Sequence, residues 1–228
     1  MVDLKTDASP CVVIGDLVGS REARDRRTLH ATLEAALAAT ERERPSLSGL
    51  RTTVGDEFQG TYATLGEALD AALRVRLRLL PGADVRVGVG RGRVSVIDAD
   101  RGIEDGPGWW AARAAVEGVE AAAERAPTRL LRTGVRTATE AGDRVREPGL
   151  DEHGAAAAVN AALLCRDHLV GSLSGRSLRL LRGLMDPETT QAALAEREGI
   201  SASAVSQRVR ADGIGVVLAA HALLRGLP

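Results

Sequence analysis

This sequence has little cysteine, no surplus of either charge and no long apolar run. Its two cysteines, Cys11 and Cys165, lie far apart with no metal-type spacing, which excludes a disulfide framework and a zinc site. Both are expected to be buried structural thiols. The four histidines, His30, His153, His168 and His221, are scattered and form no ligand cluster. Lys and Arg total 30 against 31 for Asp and Glu, so bulk charge drives no association with nucleic acid or membrane, and any DNA contact needs a local patch. No apolar stretch approaches the roughly 20 residues that span a bilayer. The segment 1–10 is charged and has no signal-peptide core, so a cytoplasmic location is expected. What is present is 44% hydrophobic residues in 228, enough for one large domain or a medium domain followed by a small one.

Cys11-Val-Val-Ile-Gly-Asp16 is a β-branched run that reads as a buried strand delivering a carboxylate at its end. A helix is predicted from about Arg21 to Arg42, with Leu29, Leu33, Ala36 and Leu37 on one stripe, stopped by Pro45. Leu50–Val54 and Phe58–Tyr62 read as strands joined by Gly55-Asp56-Glu57, a hairpin signal. Leu65–Leu80 repeats at helical spacing up to Pro81-Gly82, and Asp84–Val89 alternates as a strand, continued by Arg93–Ile97. A second long helix is predicted over Trp109–Arg125 and a short strand over Thr128–Arg132.

Strand, helix, strand, strand, helix, strand is the βαββαβ order of ferredoxin-like, palm-type α/β folds. Its first and third strands are antiparallel neighbours, so Asp16 at the end of the first should face Asp56 in the hairpin. The Gly-, Arg- and acid-rich stretch 134–154 reads as a linker between an α/β domain, 1–133, and a small all-α domain, 155–228. Within the latter, helices are predicted over Ala155–Val170, Leu173–Leu184, Thr190–Glu198, Ala202–Asp212 and Ile214–Leu224.

Two carboxylates at a strand end and a hairpin tip suit Mg²⁺ or Mn²⁺, which take oxygen ligands and leave room for phosphates. Gly15, Gly19 and Gly55 permit close backbone approach, and Gly19-Ser20 is expected to open the first helix toward a phosphate. The plainer alternative is that Asp16 caps a helix and Asp56 fills a turn. The ordered series Asp16-Leu-Val-Gly-Ser20, Val54-Gly-Asp-Glu-Phe58, Val85-Arg-Val-Gly-Val-Gly-Arg-Gly92 and Gly108-Trp-Trp-Ala-Ala-Arg113 resembles the class III nucleotidyl cyclase catalytic domain, and its Gly-Asp-Glu-Phe turn is similar to that of diguanylate cyclases. With the C-terminal helices added, the chain resembles the SatD family more closely still. The cyclase resemblance implies Asp16 and Asp56 as metal ligands, the Leu17 carbonyl as a third, and Arg113 as the transition-state arginine. Gly19, Ser20, Gly55 and Arg51 are the candidate nucleotide contacts. Two departures count against cyclisation: Trp109 stands where such cyclases carry Asn, and Thr52, next to Arg51, where they carry the base-selecting Lys. Trp109 and Trp110 either stack on a purine or pack a core or dimer interface, and packing is the preferred reading.

Thr190 to Arg210 has helix-turn-helix anatomy: Ala195 where the helices cross, Gly199 at the turn, Ile200 and Val205 beneath it, and Ser201 as cap. Ser203, Gln207, Arg208 and Arg210 are then the candidate DNA contacts; a helical hairpin that never touches DNA is the alternative. The expected protein is a homodimeric, DNA-binding transcriptional regulator with a nucleotide- and metal-sensing or dimerising domain. Its rivals are an active nucleotidyl cyclase or related phosphotransferase with an accessory helix-turn-helix, and a degenerate domain that only assembles. The terminal helix either supports a dimer or completes the small domain's core.

Overall fold

A computed structural model describes residues 9–98, 101–138, 149–150 and 154–228. Strand β1 (Cys11–Leu17) is central because its side chains are apolar on both faces: Cys11, Val13 and Leu17 point to one core, Val12 and Ile14 to another. It lies antiparallel to β3 (Phe58–Tyr62) and to β4 (Val85–Arg91), and β2 (Arg51–Thr52) flanks β3. Helix α1 (Arg26–Glu43) joins β1 to β2, and α2 (Leu65–Leu79) joins β3 to β4. The order β2-β3-β1-β4 is the expected ferredoxin-like arrangement, and a further strand lies parallel beyond β4.

That further strand, β7 (Thr133–Thr137), corrects the sequence reading, which placed it over Thr128–Arg132 and assigned 134–137 to the linker. Pro127 fixes a helical φ, so Ala126–Thr128 forms a 3₁₀ turn and pairing with β4 begins only at Thr133. Of the remainder of the expected linker, residues 139–148 and 151–153, His153 among them, lie outside the described residues. The run after β4 also differs: β5 (Ser95–Asp98) pairs with β6 (Ile103–Asp105) as a separate ribbon before α3 (Pro107–Ala123). Helix α3 sits almost on the backbone of β4, where a Cβ at Gly88 or Gly90 would overlap main-chain atoms of α3.

The C-terminal helices are α4 (Gly154–Gly171), α5 (Gly175–Leu184), α6 (Gln191–Glu198), α7 (Ala202–Ala211) and α8 (Ile214–Arg225). They pack directly on the α/β half. Asn160 of α4 accepts from the Val135 amide at 2.8 Å and donates to its carbonyl at 3.0 Å, so a side chain covers the free edge of β7. On α2, Leu69, Ala72, Val75 and Leu79 face the sheet while Leu73 and Leu77 join the core of α5–α8. The inner face of α8 completes these cores through Ile214, Val217 and Leu224, whereas Val216 and Leu223 are exposed. Cys11 is buried, but Cys165 is exposed, contrary to expectation, because it lies on the outward side of α4.

Thirteen of the 15 residues of α2 are buried, including Asp70, Arg74 and Arg76, so these charges require partners. Asp70 accepts from Arg44 of the α1 end, from Arg74 Nε at 3.1 Å, and pairs with His221 Nε2 of α8 at 2.8 Å. Burial alone would raise the Asp70 pKa. The hydrogen bonds from His221 and Arg44 and the Arg74 charge outweigh it and hold the carboxyl well below 3.8. Burial depresses the His221 pKa below 6.5. Both depressed groups bind protons less well folded than unfolded, so stability is full above pH 6.5 and declines as pH falls, first through the histidine and then, below 3.8, through the carboxylate. Asp70→Asn should cost about 3 kcal/mol or more in urea denaturation at pH 7 and remove the lower acid step. An unchanged midpoint would refute the role given to Asp70.

Candidate functional site

The alternation that buries Val12 and Ile14 under α3 carries on to Asp16, which emerges where the cover ends. Ala112 and Val116 of α3 lie over this stripe, and Glu120 follows one helical turn later. Across the sheet Asp16 is in register with Arg86, whose Nε donates to Asp16 Oδ1 at 2.8 Å while its Nη1 binds Glu120. The β2–β3 turn, closed by Thr53 N to Glu57 O at 2.8 Å, brings Asp56 alongside. Asp16, Leu17, Gly19, Ser20, Asp56 and Glu57 thus line one cavity of about 520 Å³, with Arg86 and Glu120 on its wall. A second cavity of about 300 Å³ shares Leu17, Ser20 and Asp56, and adds Gly55, Arg26, Arg27 and His30.

The two aspartates expected to face one another therefore open onto one space. Desolvation raises the Asp16 pKa above 3.8, Arg86 opposes this, and the charges of Glu120 and Asp56 add to the rise. Carboxylates crowded in this way favour a cation. The donor set is sparse: among the described residues no group of three or more His, Cys, Asp or Glu is placed to hold a metal. Asp16 and Asp56 fit a hard cation only where backbone oxygen, water or phosphate supplies the rest of the shell.

Other expected residues fare differently. Gly15 serves packing, since the space of its missing Cβ is taken by the Phe58 ring. Gly19 does not open the first helix: Ser20–Glu22 is a 3₁₀ turn and α1 starts at Arg26, capped by Asp25, whose carboxylate accepts from Thr28 N at 3.0 Å. The Asp25 carboxylate, not an open helix end, occupies that position. Gly19 and Gly55, at φ 68° and 70°, instead bend the chain around the cavity. Arg51 lies elsewhere, donating to the Ser48, Gly49 and Gly102 carbonyls. Thr52 binds Glu34. Arg113 is held by Glu57 through two hydrogen bonds of 2.6 and 2.8 Å. Trp109 packs against the Val12, Ile14, Ala112 and Val116 cluster, as the packing reading expects, while Trp110 Nε1 donates to Asp105 at 2.9 Å. Arg86, Glu57 and Glu120 were not singled out by sequence reasoning; the i, i+4, i+8 spacing of Ala112, Val116 and Glu120 was the available signal.

In the C-terminal part, Thr190 caps α6 and Ser201 caps α7, accepting from Ala193 N at 3.1 Å and Ala204 N at 3.2 Å. Gly199 takes the left-handed conformation between them at φ 63°, as C-cap of α6. Val205, Leu194 and Ala195 are buried under the turn, with Ile200 beside them. On α7, Ser203, Gln207 and Arg210 are exposed. Ser203 Oγ lies 2.9 Å from Ser201 Oγ, and Arg208 lies 3.7 Å from Asp212. Gln207 and Arg210 have no hydrogen-bond or ion-pair partner among the described residues.

The SatD family model matches residues 11–134, more than half of the chain, and covers β1–β6 with α1–α3, ending at the second residue of β7. The chain belongs to the SatD family. A winged helix-turn-helix DNA-binding model matches residues 178–211 of this SatD-family chain, from within α5 to the end of α7. The protein thus couples a mixed α/β half to a helix-turn-helix DNA-binding domain. No curated protein matches the chain. No helix among the described residues is long and apolar enough to cross a membrane.

Because Arg86 is the main counterweight to desolvation at Asp16, Arg86→Ala should push the Asp16 titration further up. Carboxyl-carbon NMR of the labelled protein would follow it. A titration that stays put or falls in the variant would contradict this account of the cavity.

Proposed function

We propose that this SatD-family protein is a transcriptional regulator that binds DNA through α7 and acts as a homodimer. In this reading its α/β half holds a nucleoside polyphosphate, with Mg²⁺ or Mn²⁺, in the Asp16–Asp56 cavity. The observation that carries the DNA half is the pair of uncommitted polar side chains, Gln207 and Arg210, on the exposed second helix of a capped helix-turn-helix. Gln207 suits base-edge readout, with Ser203 beside it, while Arg210, and Arg208 from its loose pair with Asp212, suit phosphates.

For the nucleotide half, the cavity contains a carboxylate pair for the cation and arginines for the phosphates. The cation would supply charge neutralisation of the phosphates. Asp16 and Asp56 would take it, freeing Arg86 for an anion, and the neighbouring Arg26, Arg27 and His30 extend the positive surface. Cyclase turnover is not part of the proposal. The side chain matching the transition-state arginine is tied to Glu57, and Trp109 is committed to packing where an Asn would orient the reacting ribose.

Two measurements test this reading. Mg²⁺ with ATP or GTP should raise the Tm of the wild type and leave Asp16→Ala/Asp56→Ala unchanged; an equal rise in both would remove the site. In binding titrations on a fragment selected from genomic DNA, Arg210→Ala should flatten the salt dependence by about one unit of slope. Gln207→Ala should cost about 1–3 kcal/mol at the selected site only. Wild-type binding by both variants would make the helix pair a packing element.

A further inference from the structure

A third cavity, of about 430 Å³, lies where α2 meets α5 and α6, apart from the Asp16–Asp56 cavity and with no lining residue from α7. Its charge is lopsided in a chain of net charge -1. Five arginines line it, Arg74, Arg78, Arg179, Arg182 and Arg197, against three carboxylates, Glu43, Asp186 and Glu198, an excess of two positive charges.

The carboxylates are all committed. Glu43 takes Arg74 at 2.8 Å and Arg78 at 2.5 Å. Glu198 is gripped by Arg179 through two hydrogen bonds of 2.8 and 2.7 Å. Asp186 is spent on its own turn, accepting from Glu188 N and Thr189 Oγ1, both at 3.0 Å. That leaves two guanidiniums with no anion in direct contact: Arg182 donates only to the Leu80 carbonyl, at 2.8 Å, and Arg197, whose charge is felt by Asp186 and Glu198, has no hydrogen bond or ion pair among the described residues. Partial burial and the nearby Arg78 and Arg179 charges both disfavour the charged Arg182, and a guanidinium does not relieve this by losing its proton at neutral pH. A bound anion does relieve it. The volume is that of small-molecule pockets, and Leu77, Met185 and Leu194 give it an apolar floor.

We propose that this seam is a binding site for a small phosphate-bearing anion, with Arg182 and Arg197 as the open donors and Arg78 and Arg179 completing the positive field. Planar guanidinium forks recognise phosphate oxygens in pairs. The bound anion bridges α5 and α6 to α2, tying the helix-turn-helix to the α/β half. The site is independent of the nucleotide reading of the Asp16–Asp56 cavity. It takes a free small anion rather than a DNA backbone phosphate, since it faces α2 and not the α7 surface.

The test is calorimetric titration of the full-length protein with inorganic pyrophosphate in chloride buffer without divalent metal. Wild type should bind saturably, and Asp56→Ala should bind equally well. Arg182→Ala/Arg197→Ala should bind at least about tenfold more weakly, the equivalent of one or more charge-assisted hydrogen bonds. Both arginines lie at the surface and outside the apolar cores, so the variant should fold, and circular dichroism would verify it. Arg182→Lys/Arg197→Lys should fall between the two, because it keeps charge without the fork. The proposal is overturned if wild type shows no saturable heat, if the double alanine variant binds as wild type does, or if Asp56→Ala abolishes the binding. It is also overturned if the double alanine variant flattens the salt dependence of DNA binding while pyrophosphate gives no heat, which would assign these arginines to the DNA backbone.

Discussion

Asp70 is a carboxylate at 1% exposure in the middle of a helix that is buried on nearly every side. An unpaired charge there would cost more than the whole fold can spare, so the structure has to bring cations to it. Arg44 beyond the end of α1, Arg74 one turn along α2 and Arg225 of α8, at 3.7 Å, supply the charge, and His221 on α8 adds a hydrogen bond. The last contact ties a helix close to the C-terminus to the second helix of the α/β half. A second lock lies further along. Arg76 of α2 binds Asp84 at 2.9 Å and Asp167 of α4 at 3.1 Å, and Asp167 in turn accepts the backbone amides of Arg132 and Thr133 at 2.8 and 2.6 Å. These buried pairs act less as net stabilisation than as specification, since only one arrangement of α2, α4, α8 and β7 satisfies them all.

Local signals were the legible ones. Ser201 as a cap, Gly199 at a turn and Ala195 at a crossing are read from short windows, and the structure has each in that place. The β1–β3 adjacency followed from topology alone, and it put Asp16 and Asp56 on one cavity. What failed depended on distant partners. Thr133-Gly-Val-Arg-Thr137 is a weak strand sequence that becomes a strand because β4 offers a parallel edge and Asn160 covers the other. His221 looked incidental because its reason, Asp70, lies 151 residues away. The start of α1 was placed too early because charge around Arg21–Arg26 masks the capping role of Asp25, which depends on side-chain geometry.

The cavity at Asp16 is lined by five carboxylates against two arginines, and its arginine Arg86 is already engaged between Asp16 and Glu120, as the neighbouring Arg113 is by Glu57. A ligand that brought only phosphate would have to compete with these carboxylates. In the proposed reading a cation–polyphosphate complex would supply both signs at once: Asp16 and Asp56 would hold the cation, and Arg86 would be free to meet phosphate. That exchange would leave less desolvated charge unpaired than phosphate alone would.

For a regulator, the route between that cavity and DNA has to follow elements whose contacts differ between ligand states. Glu120 and Arg113 place α3 at the cavity, and α3 rests on β4 so closely that Gly88 and Gly90 admit no side chain between them. A shift of α3 would therefore reach β4, and through the paired backbones β7. β7 is clamped to α4 by Asn160 and Asp167, and α4 leads directly into α5, the first helix of the DNA-binding domain. That chain of contacts does not run through Asp70, whose partners tie the end of α1 and α8 to α2.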